Sequence, residues 1–185
     1  MTRWKAEMDN LKLRLAQNTD IPDIKALMER AIRELQKGYL TEAQIEASFA
    51  GMGLDTQLIE DQTYFAVMDG DILVGCGGWS RRATLHGGDH SADRDNRLLN
   101  PATERARIRA MYCHPDHIKR GIGRLIIQAA EQAAKADGFK ALEMAATKAG
   151  EPFYLRCGYH IEREWDDLNG AVPVPLLTMV KTLAC

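Results

Sequence analysis

The sequence predicts a mixed α/β fold, and three observations support this prediction. Two pairs of apolar segments flank Asp-Gly or Asn-Gly turns, as they do in β-hairpins. Two longer segments carry apolar residues at helical spacing. The chain has 185 residues, of which 45% are hydrophobic and 27% charged, which suits one compact domain. We expect a single domain over residues 1–185, with residues 1–10 as an N-terminal extension.

Charge and hydropathy exclude several classes of function. Lys and Arg number 24 against 26 Asp and Glu, a formal net charge of -2, so no global basic field favours nucleic acid. The apolar runs are far shorter than the roughly 20 residues of a membrane helix, and the first residues lack an export signal. The 4 cysteines are far apart without a CxxC pair, which favours reduced thiols. We expect a cytoplasmic protein without nucleic-acid or membrane partners.

The N-terminal part of the chain predicts a strand and two helices. Residues 11–15 alternate leucine with cations, the two-residue period of a half-buried strand. Asp20 and Pro22 then provide a cap and a first turn for an amphipathic helix. Thr41 with Gln44 forms a capping-box pattern, which indicates a second, shorter helix.

The middle of the chain predicts a hairpin, a loop and a further strand. Residues 64–68 and 72–79 flank an Asp-Gly-Asp sequence, which indicates two paired strands. The stretch 80–104 is polar and contains glycines, so it is expected to form a long loop inside the domain. In residues 106–113, arginines alternate with small or apolar side chains, as in a strand with one buried face.

The C-terminal part predicts a long helix, a strand, a short helix and a hairpin. The long helix runs from Gly121 to a stop at Gly138, and its expected buried stripe is Ile122, Leu125, Ile126, Ala129, Ala133 and Ala136. Residues 140–147 form the next predicted strand, and residues 152–156 a short helix. The hairpin comprises residues 159–165 and 172–183, with its turn at Asn169-Gly170.

The loop before the long helix has the composition of an anion site. The segment HPDHIKRGIGR places two glycines and three cations at a helix N-terminus. The first amides of a helix lack internal partners, and the helix dipole adds positive potential there. The segment matches neither a P-loop, which needs GK[ST], nor a GxGxxG dinucleotide fingerprint. A tight turn with solvated cations is the structural alternative.

The sequence from Ile108 to Tyr159 resembles the GNAT superfamily of N-acetyltransferases. In that family, a strand ending in a hydrophobic residue, any residue and proline leads into a [QR]xxGx[GA] loop and an amphipathic helix. The corresponding segments here are MYCHP, IKRGIG and RLIIQAAEQAAKADGF. The family's later strand ending near Asn or Thr, and its FYxxxGF helix, correspond to LEMAAT and FYLRCGY. The resemblance covers the order of elements along nearly the whole chain.

This resemblance implies a mostly antiparallel GNAT-like sheet of six to seven strands flanked by helices, with acetyl-CoA as co-substrate and no metal. Backbone groups of Met111 and Cys113 are expected to pair with the pantetheine arm, and an amide near Met111 to stabilise the oxyanion. Tyr154 occupies the family position of the general acid that protonates the CoA thiolate. The expected cofactor-binding residues are Met111, Tyr112, Cys113, Ile118, Lys119, Arg120, Gly121, Ile122, Gly123, Arg124 and Thr147.

One position departs from the family pattern. The Gln or Arg at the head of the loop motif is Ile118 here. Because backbone amides are expected to hold the pyrophosphate, we interpret this as a change in side-chain support. The leading hypothesis is therefore an enzyme that transfers acetyl directly to a primary amine. The alternative is a non-catalytic module that binds or senses acyl-CoA.

The sequence does not single out a general base. Glu60, Asp61, His86 and Glu104 are candidates by charge, and a chain of water molecules is an alternative. Cys113 is a conceivable covalent nucleophile, but no His and acid pair at a recognised spacing accompanies it. We therefore expect direct transfer.

Histidines and acids in the polar loop raise the question of a metal site. The cluster lacks a known ligand pattern, so a solvated loop is expected from His86, Asp89, His90, Asp93 and Asp95. His114 and His117 flank Pro115 and are predicted to be turn residues.

The acceptor is expected to be a small-molecule or peptide amine. The loop 80–104 is longer than a simple hairpin needs, so this loop and Trp79 are expected at the acceptor entrance. A dimer contact and a flexible flap are alternatives for the same loop, and a homodimer is left open.

Overall fold

The computed structural model describes residues 10–91 and 94–184. Its strands are β1 (Leu11–Leu15), β2 (Tyr64–Asp69), β3 (Ile72–Ser80), β4 (Ala106–Cys113), β5 (Ala141–Thr147), β6 (His160–Asp167) and β7 (Val174–Thr182). Its helices are α1 (Ile21–Leu35), α2 (Glu42–Ser48), α3 (Gln57–Glu60), α4 (Ile122–Ala136) and α5 (Glu151–Arg156). Most of the expected extension, residues 1–9, lies outside the described residues.

All seven strands form one mixed sheet in the order β1-β2-β3-β4-β5-β7-β6. Every neighbouring pair is antiparallel except β4 and β5, which run parallel. A parallel pair needs a crossover connection, and α4 provides it between β4 and β5. The predicted mixed and mostly antiparallel sheet flanked by helices is confirmed.

The two N-terminal helices begin where the sequence predicts, but their caps differ. Thr41 and Gln44 form the expected reciprocal capping box at α2. Asp20 precedes α1, yet its side chain does not cap that helix. Its carboxylate instead accepts hydrogen bonds from the Gln17 amide at 2.8 Å and from the Arg14 guanidinium at 2.7 Å. The prediction that the Asp20 side chain caps α1 is therefore wrong, because its carboxylate binds the Arg14 side chain of β1 instead.

The buried stripe of α4 is rotated from the predicted one. The residues that the structure buries are Ile122, Ile126, Ile127, Ala130 and Ala134. Leu125, Ala129 and Ala133 are only partly buried, and Ala136 is exposed. Apolar residues cover much of this helix, so its sequence fixes the helical period but leaves the phase to the sheet surface on which it packs.

The helices cover both faces of the sheet. Ala66 and Val67 are neighbours in β2 and therefore point to opposite faces; Ala66 packs with residues of α1 and α3, and Val67 with residues of α4. Trp79 was expected at the acceptor entrance, but it is buried in the core. Its ring packs edge-on against the Phe139 ring, with 6.0 Å between the ring centroids. Its position near the end of β3 directs the indole inward, so that expectation is wrong.

Candidate active site

A cleft opens where the two parallel strands separate. β4 and β5 pair only at their beginnings, through Ala106 with Leu142 and Arg107 with Glu143. Beyond that point β4 pairs with β3 alone. The space between the diverging strands belongs to a cleft of about 760 Å³. The edge of β4 that faces β5 thus presents main-chain groups without a strand partner.

A bulge in β4 sets which side chains reach the cleft. Ala110 has a φ of 49°, and the register between β3 and β4 shifts between Cys76 and Gly78. The Tyr64 hydroxyl donates a 2.8 Å hydrogen bond to the Ala110 carbonyl. An extra residue at a bulge changes the alternation of side chains. Met111 accordingly packs on the α4 side, and its neighbour Tyr112 on the α1 side.

The loop before α4 gives the cleft an uncapped helix N-terminus. Lys119 and Gly121 both have positive φ angles, 63° and 85°. Gly121 is the N-cap residue, no described side chain caps α4, and its first turn contains no acid. The first helical backbone bond runs from the Leu125 amide to the Gly121 carbonyl at 3.0 Å. Unsatisfied amides at a helix start favour an anion.

Gly123 has a packing role that the sequence analysis did not assign. A Cβ at this position would lie 3.0 Å from the Phe153 ring of α5. The missing side chain therefore lets α5 approach α4 closely. The absence of a Cβ at Gly123 serves the contact between these two helices, and α5 carries Tyr154.

Most of the residues predicted for cofactor binding and catalysis meet in this cleft. Those that line it are Met111, Tyr112, Cys113, Ile118, Lys119, Gly121, Ile122, Gly123, Arg124, Thr147 and Tyr154. Arg120 does not, because its guanidinium lies 2.6 Å from the Asp69 carboxylate at the end of β2. The side chain of Arg120 is thus held at the hairpin turn between β2 and β3.

Tyr154 lies on α5 with its hydroxyl protonated. The residue is buried, and burial raises the pKa of its phenol well above the ordinary value, with a smaller contribution from Cys113. Its ring contacts the Phe153 ring edge-on at 5.1 Å. A phenol that keeps its proton at neutral pH has a proton that a departing thiolate can accept.

Cys113 lines the same cleft as a thiol. Burial raises its pKa to about 11, although the nearby Gly123 amide favours the thiolate. The thiolate is the nucleophilic form of cysteine. The environment of Cys113 therefore favours the thiol over the nucleophilic thiolate.

His86 is the candidate base that reaches the cleft. Asp61 is held by Arg82 at 2.6 Å, which lowers the pKa of this carboxyl. The Arg97 guanidinium lowers the pKa of Glu104 to about 2. Neither acid lines the cleft, nor does Glu60, whereas His86 does.

The polar loop is folded onto the sheet by a buried arginine. The Arg109 side chain of β4 is only 3% exposed and donates to the Thr84 carbonyl at 2.7 Å and to the Gly87 carbonyl at 2.6 Å. It also forms a 2.9 Å ion pair with Asp55. The alternating arginines of β4 gave no signal that one of them is buried, because its partners lie far away in the sequence.

The loop residues of the metal hypothesis have separate partners. Asp89 accepts hydrogen bonds from the Thr56 amide and from Arg94, both at 3.0 Å. His90 contacts the Ala50 carbonyl at 3.0 Å. Asp93 lies outside the described residues. Within residues 10–91 and 94–184, no group of three or more metal-ligating side chains comes together.

The two histidines after β4 are turn residues, as predicted. His114 precedes a short 3-10 turn, and its Nδ1 accepts a hydrogen bond from the Asp116 amide at 3.2 Å. The rings of His114 and His117 meet edge-on at 5.0 Å.

Several solved structures with this fold are named as N-acetyltransferases. A GCN5-related N-acetyltransferase from Rhodopseudomonas palustris superposes with a TM-score of 0.69 at 20% identity, covering 93% of this chain and 95% of that one. The PaiA N-acetyltransferase of Thermoplasma acidophilum, in complex with coenzyme A, gives 0.64 at 13% identity over 94% and 99%. The yncA protein of Salmonella typhimurium, with its cofactor acetyl-CoA, gives 0.63 at 13% identity over 95% of each chain.

A family model then identifies the chain. The model described as the acetyltransferase (GNAT) family matches residues 24–159, which include the splayed strands, the loop before α4 and α5. This match makes the chain an acyltransferase. The chain belongs to the acetyltransferase (GNAT) family, whose members carry out acetyl-CoA-dependent acyl transfer.

Two further observations add no functional detail. No curated protein matches the chain. None of the described helices has the length and apolarity needed to cross a membrane.

Proposed function

We propose that the protein transfers the acetyl group of acetyl-CoA directly to a primary amine, with Tyr154 as the general acid. One observation carries the proposal: the open edge of β4, the uncapped start of α4 and the Tyr154 side chain all face the same cleft. Each supplies a different requirement of acyl transfer, namely a binding edge for the acyl carrier, an anion site and a proton donor.

The residues present suit acetyl-CoA. The amides at the start of α4 suit phosphate oxygens, and Lys119 and Arg124 line the cleft nearby. Between Met111 and Cys113 the free edge of β4 can hydrogen-bond to the amide groups of a pantetheine arm. The Arg120 side chain is bound to Asp69 and does not reach this part of the cleft. When bound, acetyl-CoA supplies the activated acetyl group.

Tyr154 has the protonation state that this role requires. A departing thiolate leaves more easily when a positioned acid protonates it. The raised pKa of Tyr154 keeps its proton available at neutral pH. A backbone amide near Met111 is the proposed oxyanion donor, a contribution that typically amounts to about 3 kcal/mol.

The proposed acceptor is a small-molecule or peptide amine, and the proposed location is the cytoplasm. The loop residues Leu85, His86 and Gly87 line the cleft, which supports a compact amine. The free thiols of Cys76, Cys113 and Cys157 support a reducing compartment.

A thiol-release assay tests this function. The protein is incubated with acetyl-CoA and a panel of alkylamines, arylalkylamines, polyamines and short basic peptides, and free CoA is measured with a thiol reagent. We expect amine-dependent CoA release with a matching N-acetyl product in the mass spectrum. Acetyl-CoA binding without release for any amine supports the non-catalytic acyl-CoA-binding module instead.

A further inference from the structure

We propose that His86 accepts the proton of the acceptor amine, that Asp167 positions the His86 imidazole, and that this pair selects cationic primary amines with an apolar body. The inference rests on the proposed N-acetyltransferase function and deepens it. It assigns roles to two residues at the acceptor end of the cleft, where the sequence gave several candidate general bases and selected none.

The geometry brings together two residues that lie far apart in the chain. His86 Nε2 lies 3.9 Å from Asp167 Oδ2. The imidazole also meets the Trp165 ring of β6 edge-on at 5.1 Å. Both His86 and Asp167 line the cleft that contains Tyr154. The indole and the carboxylate thus hold the imidazole from the β6 side.

Asn169 holds one oxygen of the Asp167 carboxylate, and the other oxygen faces His86. Its Oδ1 accepts hydrogen bonds from the Asn169 amide at 3.1 Å and from Asn169 Nδ2 at 2.7 Å. Its Oδ2 faces His86 and occupies the space where a Cβ of Gly51 would stand. The side chain is 8% exposed. Oδ2 is therefore available to orient the imidazole and to stabilise the imidazolium.

The charges around His86 leave a net negative group at this end of the cleft. Asp167 faces the imidazole from the end of β6, and Arg109 faces it from β4. The guanidinium of Arg109 is committed to Asp55 and to the Thr84 and Gly87 carbonyls. Asp167 has no cationic partner at hydrogen-bond distance among the described residues. A cationic acceptor would complement this carboxylate.

Burial favours the neutral form of His86. Burial lowers its pKa below the ordinary value, and Arg109 contributes in the same direction, while Asp167 opposes both. A neutral imidazole has a lone pair that can take a proton. The two carbonyl bonds of Arg109 flank His86 in sequence and hold its backbone in place.

The proton balance assigns one step to each side chain. The ammonium form of the acceptor gives one proton to His86, which passes it to solvent. The free amine then forms the C–N bond with the acetyl carbon, and the C–S bond breaks when the resulting oxyanion returns to a carbonyl. The nitrogen loses a second proton to solvent, and the Tyr154 hydroxyl donates one to the sulfur and regains it from solvent. The sum is an amide, CoA thiol and one released proton.

The walls of this part of the cleft define the body of the acceptor. They are mainly apolar and include Ile32, Leu35, Met52, Leu85, Val174 and Leu176. Gln36 also lines the cleft, and its buried Oε1 has no hydrogen-bond partner within the described residues. An unpaired buried oxygen favours a ligand that brings a donor. An alkyl or arylalkyl ammonium provides both the apolar body and the N–H donors.

His86→Gln and Asp167→Asn test the proton-transfer role. We expect His86→Gln to lower kcat at least about tenfold, the lower part of general-base effects, and to remove the acid limb of the kcat/KM profile against pH. Asp167→Asn removes the group that raises the pKa of His86, so its acid limb is expected to move to lower pH. The acetyl-CoA-induced rise in Tm is expected to persist in both variants.

His90→Gln is the matched control, because His90 lies on the same loop but contacts the Ala50 carbonyl outside the cleft. We expect this variant to keep the wild-type rate and pH profile. Retention of full activity and an unchanged acid limb in His86→Gln would overturn the proton-transfer role. If one variant fails to fold, the pH profile of the other decides, since a structural contact alone would not move the limb.

Matched acceptors test the specificity. We expect 2-phenylethylamine to be acetylated with a kcat/KM at least tenfold above that of phenylalanine, because the added carboxylate faces Asp167. Equal or better use of phenylalanine would overturn the selection of cationic amines. If no amine is acetylated although acetyl-CoA binds, the proposed acetyltransfer itself fails, which separates the two outcomes.

Discussion

Burial determines the protonation states of the side chains that line the cleft. Tyr154 keeps its proton, and the Cys113 thiol has a pKa of about 11. His86 is shifted in the opposite direction, toward its neutral form. Because burial disfavours each charged form, the same physical effect yields a proton donor, an inert thiol and a proton acceptor.

The role of Tyr154 can be measured by removing its hydroxyl. Tyr154→Phe is expected to lower kcat and kcat/KM together by about tenfold or more, because the lost interaction belongs to the transition state. The ring still packs, so acetyl-CoA affinity should stay within a factor of about two. Steady-state kinetics and calorimetric titration measure the two quantities.

Tyr159→Phe is the control for that experiment. The Tyr159 ring lies next to Tyr154, with ring centroids 6.1 Å apart, but Tyr159 does not line the cleft. We expect unchanged kcat. Full activity of Tyr154→Phe across the pH range would instead return Tyr154 to a packing role.

At the scale of elements, the junction of β4, its loop and α4 builds the anion site. The bulge at Ala110 shifts the register between β3 and β4, and the left-handed Gly121 turns the chain into the helix. The two ends of α4 are alike in one respect: Gly121 and Gly138 have φ angles of 85° and 95°. Of these two glycines, Gly121 lines the cleft and Gly138 does not. Substituting each in turn therefore distinguishes the effect of backbone strain from an effect on ligand binding.

Gly121→Ala and Gly138→Ala compare these two ends. Each places a Cβ in a left-handed conformation, which costs about 1–2 kcal/mol, so we expect similar decreases in Tm. Gly121→Ala is expected to weaken acetyl-CoA binding about tenfold, equivalent to about 1.4 kcal/mol, because it disturbs the amides that hold phosphate. Gly138→Ala should bind normally in the same calorimetric titration. Equal affinity of the two variants would make Gly121 only a structural turn.

At the scale of the whole molecule, the cleft is assembled from segments that are distant in the chain. Asp55 and Arg109 are 54 residues apart and form a buried ion pair. That pair ties the turn before α3 and the polar loop to β4, while α4, α5 and the hairpin of β6 and β7 provide the other walls. A ligand that fills the cleft therefore contacts both halves of the sheet.

Acetyl-CoA is accordingly expected to stabilise the whole fold. At a concentration about 100 times Kd, binding adds about 2.7 kcal/mol to the free energy of unfolding, which is a rise in Tm of about 5–10 °C for a chain of this size. Differential scanning fluorimetry measures the rise. Inorganic pyrophosphate at the same concentration should give a smaller one. An unchanged Tm at millimolar acetyl-CoA would contradict the assignment of the cleft.

Local patterns in the sequence accounted for most elements, and their failures have identifiable causes. The two-residue alternation of residues 11–15 and the capping box at Thr41 both correspond to elements of the structure. The four-residue helix α3 was not predicted, because one turn has no detectable period. For α4 the sequence predicted the helix but placed its stripe on the wrong phase.

The sequence by itself determined the family, the order of the strands and helices along the chain, and the segment that carries the anion site, because these depend on periodicity and on motifs of adjacent residues. Only the tertiary structure decided that Arg120 turns to Asp69, that Trp79 is buried, and that His86 meets Asp167. These contacts join residues from separate strands and loops, so their partners are set by how the elements pack. Side-chain charge alone does not specify a partner, because the chain contains many opposite charges and the fold decides which of them lie close enough to interact.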